Sequence, residues 1–336
     1  MIIAVDAMGG DFAPAEIVKG AAAGSKQHDV DVILVGDENA VRRHLPGEFA
    51  SSSRLTVRHA SEVITMDDHV DAVRTKRDAS VVVAASLVKN GEADAMVSVG
   101  NTAAAMAVAT LRLGRIKGID RPAIATVWPG KNGPTIMLDA GAVADCSVEN
   151  LKQFAVMGSV YAEKVFGIPN PRVALLSIGE EKSKGNEVVR ATYEELAASS
   201  LNFIGNVEGR HLLTNEADVI VADGFAGNVS LKVAEGLIEH VSGIIKDDLR
   251  SHPLAWIPII MLSSMLKRMH RKLDYAEYGG APLLGLDGVC IIGHGRSNAH
   301  AVASAVRAAK DAVKGNVVST IRDSLTDAMH SASAIM

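Results

Sequence analysis

Short, unbroken apolar runs recur along this chain, separated by helical patterns and often closed by a turn rich in Gly and Asp. That rhythm leaves few ways to fold. The runs are Ile2–Asp6, Val32–Val35, Leu55–His59, Ala95–Val99, Ala123–Val127, Thr135–Leu138, Val173–Ser177, Phe203–Ile204, Val219–Ala222 and Val289–Ile292. Apolar runs that do not alternate with polar residues belong to strands covered on both faces. Between them, helical patterns span Pro14–Ser25, Asp71–Asn90, Val148–Phe166, Glu187–Ala198, Val229–Leu249 and Asn298–Val313. The prediction is an α/β fold, a mostly parallel sheet with helices on both faces. A 48% hydrophobic content with only 4% aromatics suits such closely packed layers. No Pro/Ser linker or repeat divides the chain, so residues 1–336 are expected to form one interlocked α/β unit.

The charge balance excludes some partners. A net charge of -5 gives no electrostatic footprint for nucleic acid. Cys146 and Cys290 stand far apart without a CxxC, which argues against a disulfide framework or a thiolate zinc site and fits a reducing cytoplasm. The opening Met-Ile-Ile-Ala-Val-Asp reads as a strand, not a signal peptide. A membrane span needs about 20 apolar residues. The best candidate, Pro253–Leu262, is half that length and contains two prolines, so no span is expected.

Six strand-end turns carry polar chemistry: Asp6–Asp11 with Gly9 and Gly10, Gly100-Asn101-Thr102, Asp139-Ala-Gly141, Ile178–Glu181, Asp223–Asn228 with Gly227, and Gly293-His294-Gly295. Ligands of open α/β sheets bind at the carboxyl ends of strands, where glycine lets amides approach an anion at a helix N-terminus. Six such turns on one edge would make a large polar site, although any one alone is an ordinary tight connection. GxxxxGK[ST], GxSxG and HExxH are all absent, and the nearest approach to GxGxxG, Gly293–Asn298, lacks its last glycine. Lys182-Ser-Lys184-Gly185-Asn186 follows a strand and opens a helix. Its lysines either face an anion in the cleft or sit solvated beside Glu180 and Glu181, and spacing does not choose between these.

His252–Lys272 is an apolar, Trp-containing stretch that leads into a cluster of cations. This is the composition of a helix lying in a membrane interface. Leu254, Trp256, Ile257, Ile260 and Leu262 would face the bilayer, and Lys267, Arg268 and Arg271 its anionic headgroups. A helical pair at a dimer interface or over an acyl pocket has the same composition, and the basic cluster also suits an acidic carrier protein.

Six stretches in order carry a resemblance: Val5–Asp11; Gly179-Glu-Glu with Lys184–Glu187; Gly205–Arg210; Asp223–Val229; Leu273–Gly285; and Gly293–Gly295. Together they resemble the PlsX-type phosphate acyltransferases of bacterial phospholipid synthesis over nearly the whole chain. Departures from the family pattern fall at Val143, His69–Asp71 and Arg296. The resemblance implies a homodimeric three-layer α/β/α sandwich similar to isopropylmalate dehydrogenases, with no nucleotide cofactor and no metal. A helical hairpin about 250–273 would project from it. It also implies that acyl carrier protein and inorganic phosphate are substrates, giving acyl phosphate to a membrane glycerol-3-phosphate acyltransferase. The protein would sit in the cytoplasm, peripherally on the inner face of the membrane. On that reading Lys184 and the amides of Gly185 and Asn186 hold phosphate, Asn228 donates to the thioester oxyanion and His294 protonates the departing thiolate. Asp6, Gly9, Gly10, Asp11, Gly100, Asn101, Thr102, Asp223, Gly227 and Gly295 would line the substrate site. Two competing classes remain: a β-decarboxylating NAD-dependent dehydrogenase, which needs a carboxylate cluster for metal, and a non-enzymatic membrane scaffold.

Overall fold

Strands form where the apolar runs lie, and the chain alternates them with helices. The structure is a computed structural model that describes residues 1–47, 54–251 and 279–333, together with Met265. The first half runs β1 (Ile2–Asp6), α1 (Ala15–His28), β2 (Asp31–Gly36), α2 (Glu38–His44), β3 (Leu55–His59), α3 (Ala72–Thr75), α4 (Ser80–Lys89), β4 (Ala95–Ser98) and α5 (Thr102–Arg112). The middle runs β5 (Ala123–Ile124), β6 (Thr126–Gly130), β7 (Gly133–Leu138), α6 (Val148–Phe166), β8 (Val173–Leu176), α7 (Glu187–Ala197), β9 (Phe203–Val207), β10 (Val219–Val221) and α8 (Gly224–Ser251). Last come β11 (Ala281–Leu284), β12 (Val289–Ile292), α9 (Ala299–Lys314) and α10 (Val317–Ser333).

The expected α/β architecture is present, but its strands divide between two sheets. One has the order β3-β2-β1-β4-β12-β11-β5 and the other β6-β7-β10-β8-β9. β3, β2, β1, β4 and β12 pair in parallel, as do β7, β10, β8 and β9. Among the named strands, the antiparallel pairs fall where the sheets adjoin, at β5, β11 and β6. The run Ala123–Val127, read as one strand, is where the chain changes sheets. The Ala125 amide donates to the Pro282 carbonyl at 3.0 Å, and from Thr126 onward the backbone pairs with β7.

Layering follows from side-chain alternation. On β1, Ile3 and Val5 pack with Ile17 and Val18 of α1 and Val302 and Val306 of α9, while Ala4 faces Ala84 and Leu87 of α4. In the second sheet, Leu138, Leu175 and Val221 pack under Phe154 and Met157 of α6. Its other face, with Met137, Ala174 and Ile220, shares a core with Met96 and Cys290 of the first sheet. Ala104, Ala105 and Val108 of α5 lie in that shared core, so α5 joins the two sheets.

Two helical expectations need correction. Asp71–Asn90 is not continuous, because residues 76–79 are drawn out to pair with the loop after β3. The Ser80 amide donates to the Glu62 carbonyl at 3.1 Å, and Lys76 Nζ reaches the Val63 carbonyl at 2.9 Å and Asp68 at 2.7 Å. Val229–Leu249 lies inside a longer helix, α8, which begins five residues earlier, at Gly224. Phe225, Val229, Val233, Leu237, Val241 and Ile245 of α8 form an exposed apolar i, i+4 ridge. The residues expected at the membrane, Leu254, Trp256, Ile257, Ile260, Leu262, Lys267, Arg268 and Arg271, and nearly all of the hairpin about 250–273, lie outside the described residues.

Candidate active site

The first sheet delivers three turns to one place. After β1, the Asp11 amide donates to the Gly295 carbonyl at 2.8 Å, which ties Asp6–Asp11 to the turn after β12. Gly9 packs against Gly100, two residues after β4, so closely that a Cβ there would lie 2.9 Å from the Gly100 nitrogen. Asp6 is 3% exposed and sits beneath these turns. Its carboxylate accepts from Ser98 Oγ at 2.7 Å and from the Met8 amide at 3.3 Å. Burial pushes the Asp6 carboxyl above its ordinary value, and the hydroxyl and amide donors pull it back in part. A buried carboxylate that collects donors shapes a turn and keeps away from an anionic ligand.

Asn101 caps α5, its Oδ1 accepting from the Ala104 amide at 3.0 Å. Its Nδ2 donates to the Met66 and Asp68 carbonyls, both at 3.2 Å, and so holds the loop after β3 against the turn. Thr102 and Asp11 are exposed beside it. His294 is also exposed, and its Nδ1 accepts from the Arg296 amide at 3.2 Å. A neutral ring held this way carries its proton on Nε2.

The second sheet builds its site around Asp139, at the end of β7. This carboxylate is fully buried. Oδ1 accepts from the amides of Ile124 at 2.8 Å and Gly141 at 3.2 Å, and Oδ2 from Val143 at 2.7 Å. Burial raises its pKa against the pull of those amides. The Val143 carbonyl accepts from Gly224 at 2.8 Å, so the departure at Val143 falls where the backbone does the work. Asp223 accepts from the Ala226 amide at 2.7 Å and starts α8. Gly227 presses on the Asp139 carbonyl, and any side chain there would collide with it. That contact sets Asn228 beside Gly141, where a Cβ would stand 3.4 Å from its Cγ. Asn228 is exposed, and its side-chain amide makes no hydrogen bond within the described residues.

The turn after β8 separates the two lysines that spacing could not. Lys182 pairs with Glu194 at 2.9 Å and lies over the Tyr193 ring at 5.8 Å. Glu180 pairs with Arg210 at 3.2 Å. Lys184 is exposed and forms no ion pair with the described residues, although its own amide is fixed to the Glu181 carbonyl at 2.9 Å. Gly185, at φ +95°, turns the chain into α7, which Asn186 caps by accepting from Val189 at 2.8 Å. A free ammonium beside the N-terminus of α7 suits an anion.

The predicted residues thus fall into groups, not along a single sheet edge. Asp6, Gly9, Gly10, Asp11, Gly100, Asn101, Thr102, His294 and Gly295 gather at the first sheet. Asp223, Gly227 and Asn228 gather with Asp139–Val143 at the second, and Lys184, Gly185 and Asn186 follow β8, two strands from β7. Sequence reading missed Ser98 and reduced Asp139 to one more polar turn. The available signal was an acid placed directly after the fully apolar run Thr135–Leu138. Among the described residues, no three His, Cys, Asp or Glu side chains come together to hold a metal ion.

The fatty acid synthesis protein family matches residues 1–320. The chain is 51% identical to a phosphate acyltransferase of Desulfitobacterium hafniense, over 97% of this chain and 98% of that protein. It is 52% identical to a phosphate acyltransferase of Pelotomaculum thermopropionicum, over 97% of this chain and 95% of that one. This chain belongs to the phosphate acyltransferase family. Solved structures share the family's fold at much lower identity. A phosphotransacetylase from Streptococcus pyogenes superposes with a TM-score of 0.62 at 19% identity, covering 93% of this chain and 94% of that one. A phosphotransacetylase from Staphylococcus aureus does so with a TM-score of 0.59 at 15% identity, over the same shares of the two chains.

Proposed function

We propose that this acyltransferase converts acyl-[acyl-carrier-protein] and inorganic phosphate into acyl phosphate and free carrier, feeding phosphatidic acid synthesis. The observation that carries this reading is the end-to-end identity of about half with phosphate acyltransferases. Phosphate is already anionic at neutral pH, so the enzyme supplies position and charge stabilisation more than a base. Lys184 and the Gly185 and Asn186 amides hold the phosphate. A phosphate oxygen attacks the thioester carbonyl carbon, and Asn228 donates to the oxyanion that develops. The C–S bond then breaks, and the carrier thiolate takes a proton, supplied by His294 Nε2 or by water. Asp6 and Asp139 organise the turns around this chemistry, and the core shared by both sheets supports one catalytic unit over 1–336.

The finer setting belongs to the same proposal. The exposed α8 ridge is the face expected to bury itself in a homodimer, since apolar ridges of that length are rarely left in water. The protein works in the cytoplasm on the inner face of the membrane, with the 254–271 segment lying against anionic lipid. There it passes acyl phosphate to a membrane glycerol-3-phosphate acyltransferase. Incubation with long-chain acyl carrier protein, with and without phosphate, tests the reaction itself. Phosphate-dependent release of carrier thiol with a matching hydroxamate after hydroxylamine trapping is expected. No release from folded protein sinks the reading.

A further inference from the structure

We propose that the groove between α3 and α5, ringed by Arg74, Arg77 and Arg112, is where the acidic face of the acyl carrier protein docks. This rests on the acyl-transfer reading above and adds the surface that reading lacks. The groove encloses about 370 Å³ and is lined by Val73, Arg74, Arg77, Val108, Leu111 and Arg112. Val73 and Val108 belong to the buried core and form its floor, while Leu111 is 63% exposed at its rim. All three arginines are exposed, and none forms an ion pair or side-chain hydrogen bond with the described residues.

Four carboxylates of the neighbouring segments are engaged elsewhere. Asp68 holds Lys76 at 2.7 Å, Asp78 accepts from Ser61 Oγ at 2.6 Å, Glu62 accepts from the Asp78 amide at 2.9 Å, and Asp71 faces His69 at 3.1 Å. On a chain of net charge -5, three unpaired guanidinium groups around an exposed leucine form a local positive patch with an apolar centre. That pattern steers and orients an acidic protein with an apolar spot on its surface.

The position fits the same partner. α5 runs from Thr102, next to Asn101 in the strand-end turn, to Arg112, so its 11 residues set the patch about 15 Å from that turn. A carrier that presents its acyl thioester on a flexible arm must dock at arm's length from the chemistry. Asn101 also holds the loop that leads into α3, so the groove and the site share one support.

The test compares wild type with Arg74→Glu/Arg77→Glu/Arg112→Glu, and with the triple Arg→Lys variant that keeps the charge. Direct titration with acyl carrier protein is read beside turnover of two substrates, acyl carrier protein and a small acyl thioester without protein. The glutamate variant is expected to raise the carrier Kd and KM by about 10-fold or more, with a flattened salt dependence. Turnover of the small thioester should stay unchanged, and the lysine variant should remain near wild type. Unchanged carrier affinity overturns the proposal, and so does an equal loss with the small thioester. Loss of binding to anionic phosphatidylglycerol vesicles with carrier KM intact would make the patch a lipid contact and also overturns it. Because the titration needs no turnover, it decides the patch even if wild type releases no acyl phosphate, an outcome that sinks the reaction instead.

Discussion

Lys182 and Lys184 stand two residues apart on one turn, yet one is tied to Glu194 and the other is uncommitted. Sequence showed that a lysine here follows a strand and precedes a helix, but not which one, because pairing depends on where α7 carries Glu194. Lys184→Ala is expected to lower kcat/KM by about 100-fold or more with little change in thermal midpoint, whereas Lys182→Ala keeps near-normal turnover. Steady-state assays on the two variants check this, and reversed outcomes would exchange their roles. Asp6 behaves differently, because its carboxyl is raised by burial. Folded protein therefore binds that proton more tightly than unfolded protein does. The stability this contributes is fully present below about pH 4 and is lost as pH rises through the raised value. The stability of wild type minus that of Asp6→Asn should fall as pH rises from 4 to 8 in urea titrations. A flat difference would mean that burial does not perturb Asp6. In sequence the mark of the depth of Asp6 and Asp139 is the apolar run before each, Ile2–Val5 and Thr135–Leu138, while the groups that bury them come from neighbouring strands.

At the scale of elements, apolar periodicity located the covered strands well and failed where a helix is built from small residues. α5 begins Thr-Ala-Ala-Ala-Met-Ala, which has too little contrast to show a face, although it is the helix that joins the two sheets. β11 escaped because Pro282 interrupts its short apolar pattern; the proline is second in the strand and bonds through its carbonyl, which accepts from Ala125. The Asp71–Asn90 pattern reads as one helix because its apolar spacing continues across the break, which tertiary pairing with Glu62 imposes. α1 and α9 pack by close backbone approach: a Cβ on Gly20 would stand 2.5 Å from the Ala299 carbonyl and 2.6 Å from Val302 Cβ. Gly20→Ala should therefore destabilise by about 1–3 kcal/mol despite better helix propensity. Denaturant unfolding measures this, and a stabilised variant would show that the two helices separate freely.

For the whole molecule, the parallel α/β class was legible from strand rhythm, but the split into two sheets was not. The switch rests on one residue, Ala125, whose amide bonds across to Pro282, and no local pattern marks it. The polar turns consequently occupy the ends of two sheets that share a core, which gives a site with two sides. The α8 ridge argues for a second copy at this scale. Leu237→Glu and Val233→Glu place charge on side chains that are 61% and 65% exposed, so on the proposed homodimer the variant is expected to fold normally and sediment as a monomer, and wild type as a dimer. Unchanged sedimentation would assign the ridge another occupant.

The same helix has a mechanical side. Its 28 residues make a rod about 42 Å long, pinned near one end where Gly227 meets the Asp139 carbonyl. Asn228 is one residue from that pivot, and Ser251 is about 36 Å away. A swing of several ångströms at the distal end therefore shifts Asn228 by only a fraction of one. Whatever moors the distal end can sway with its support while the aim of the reactive turn holds steady.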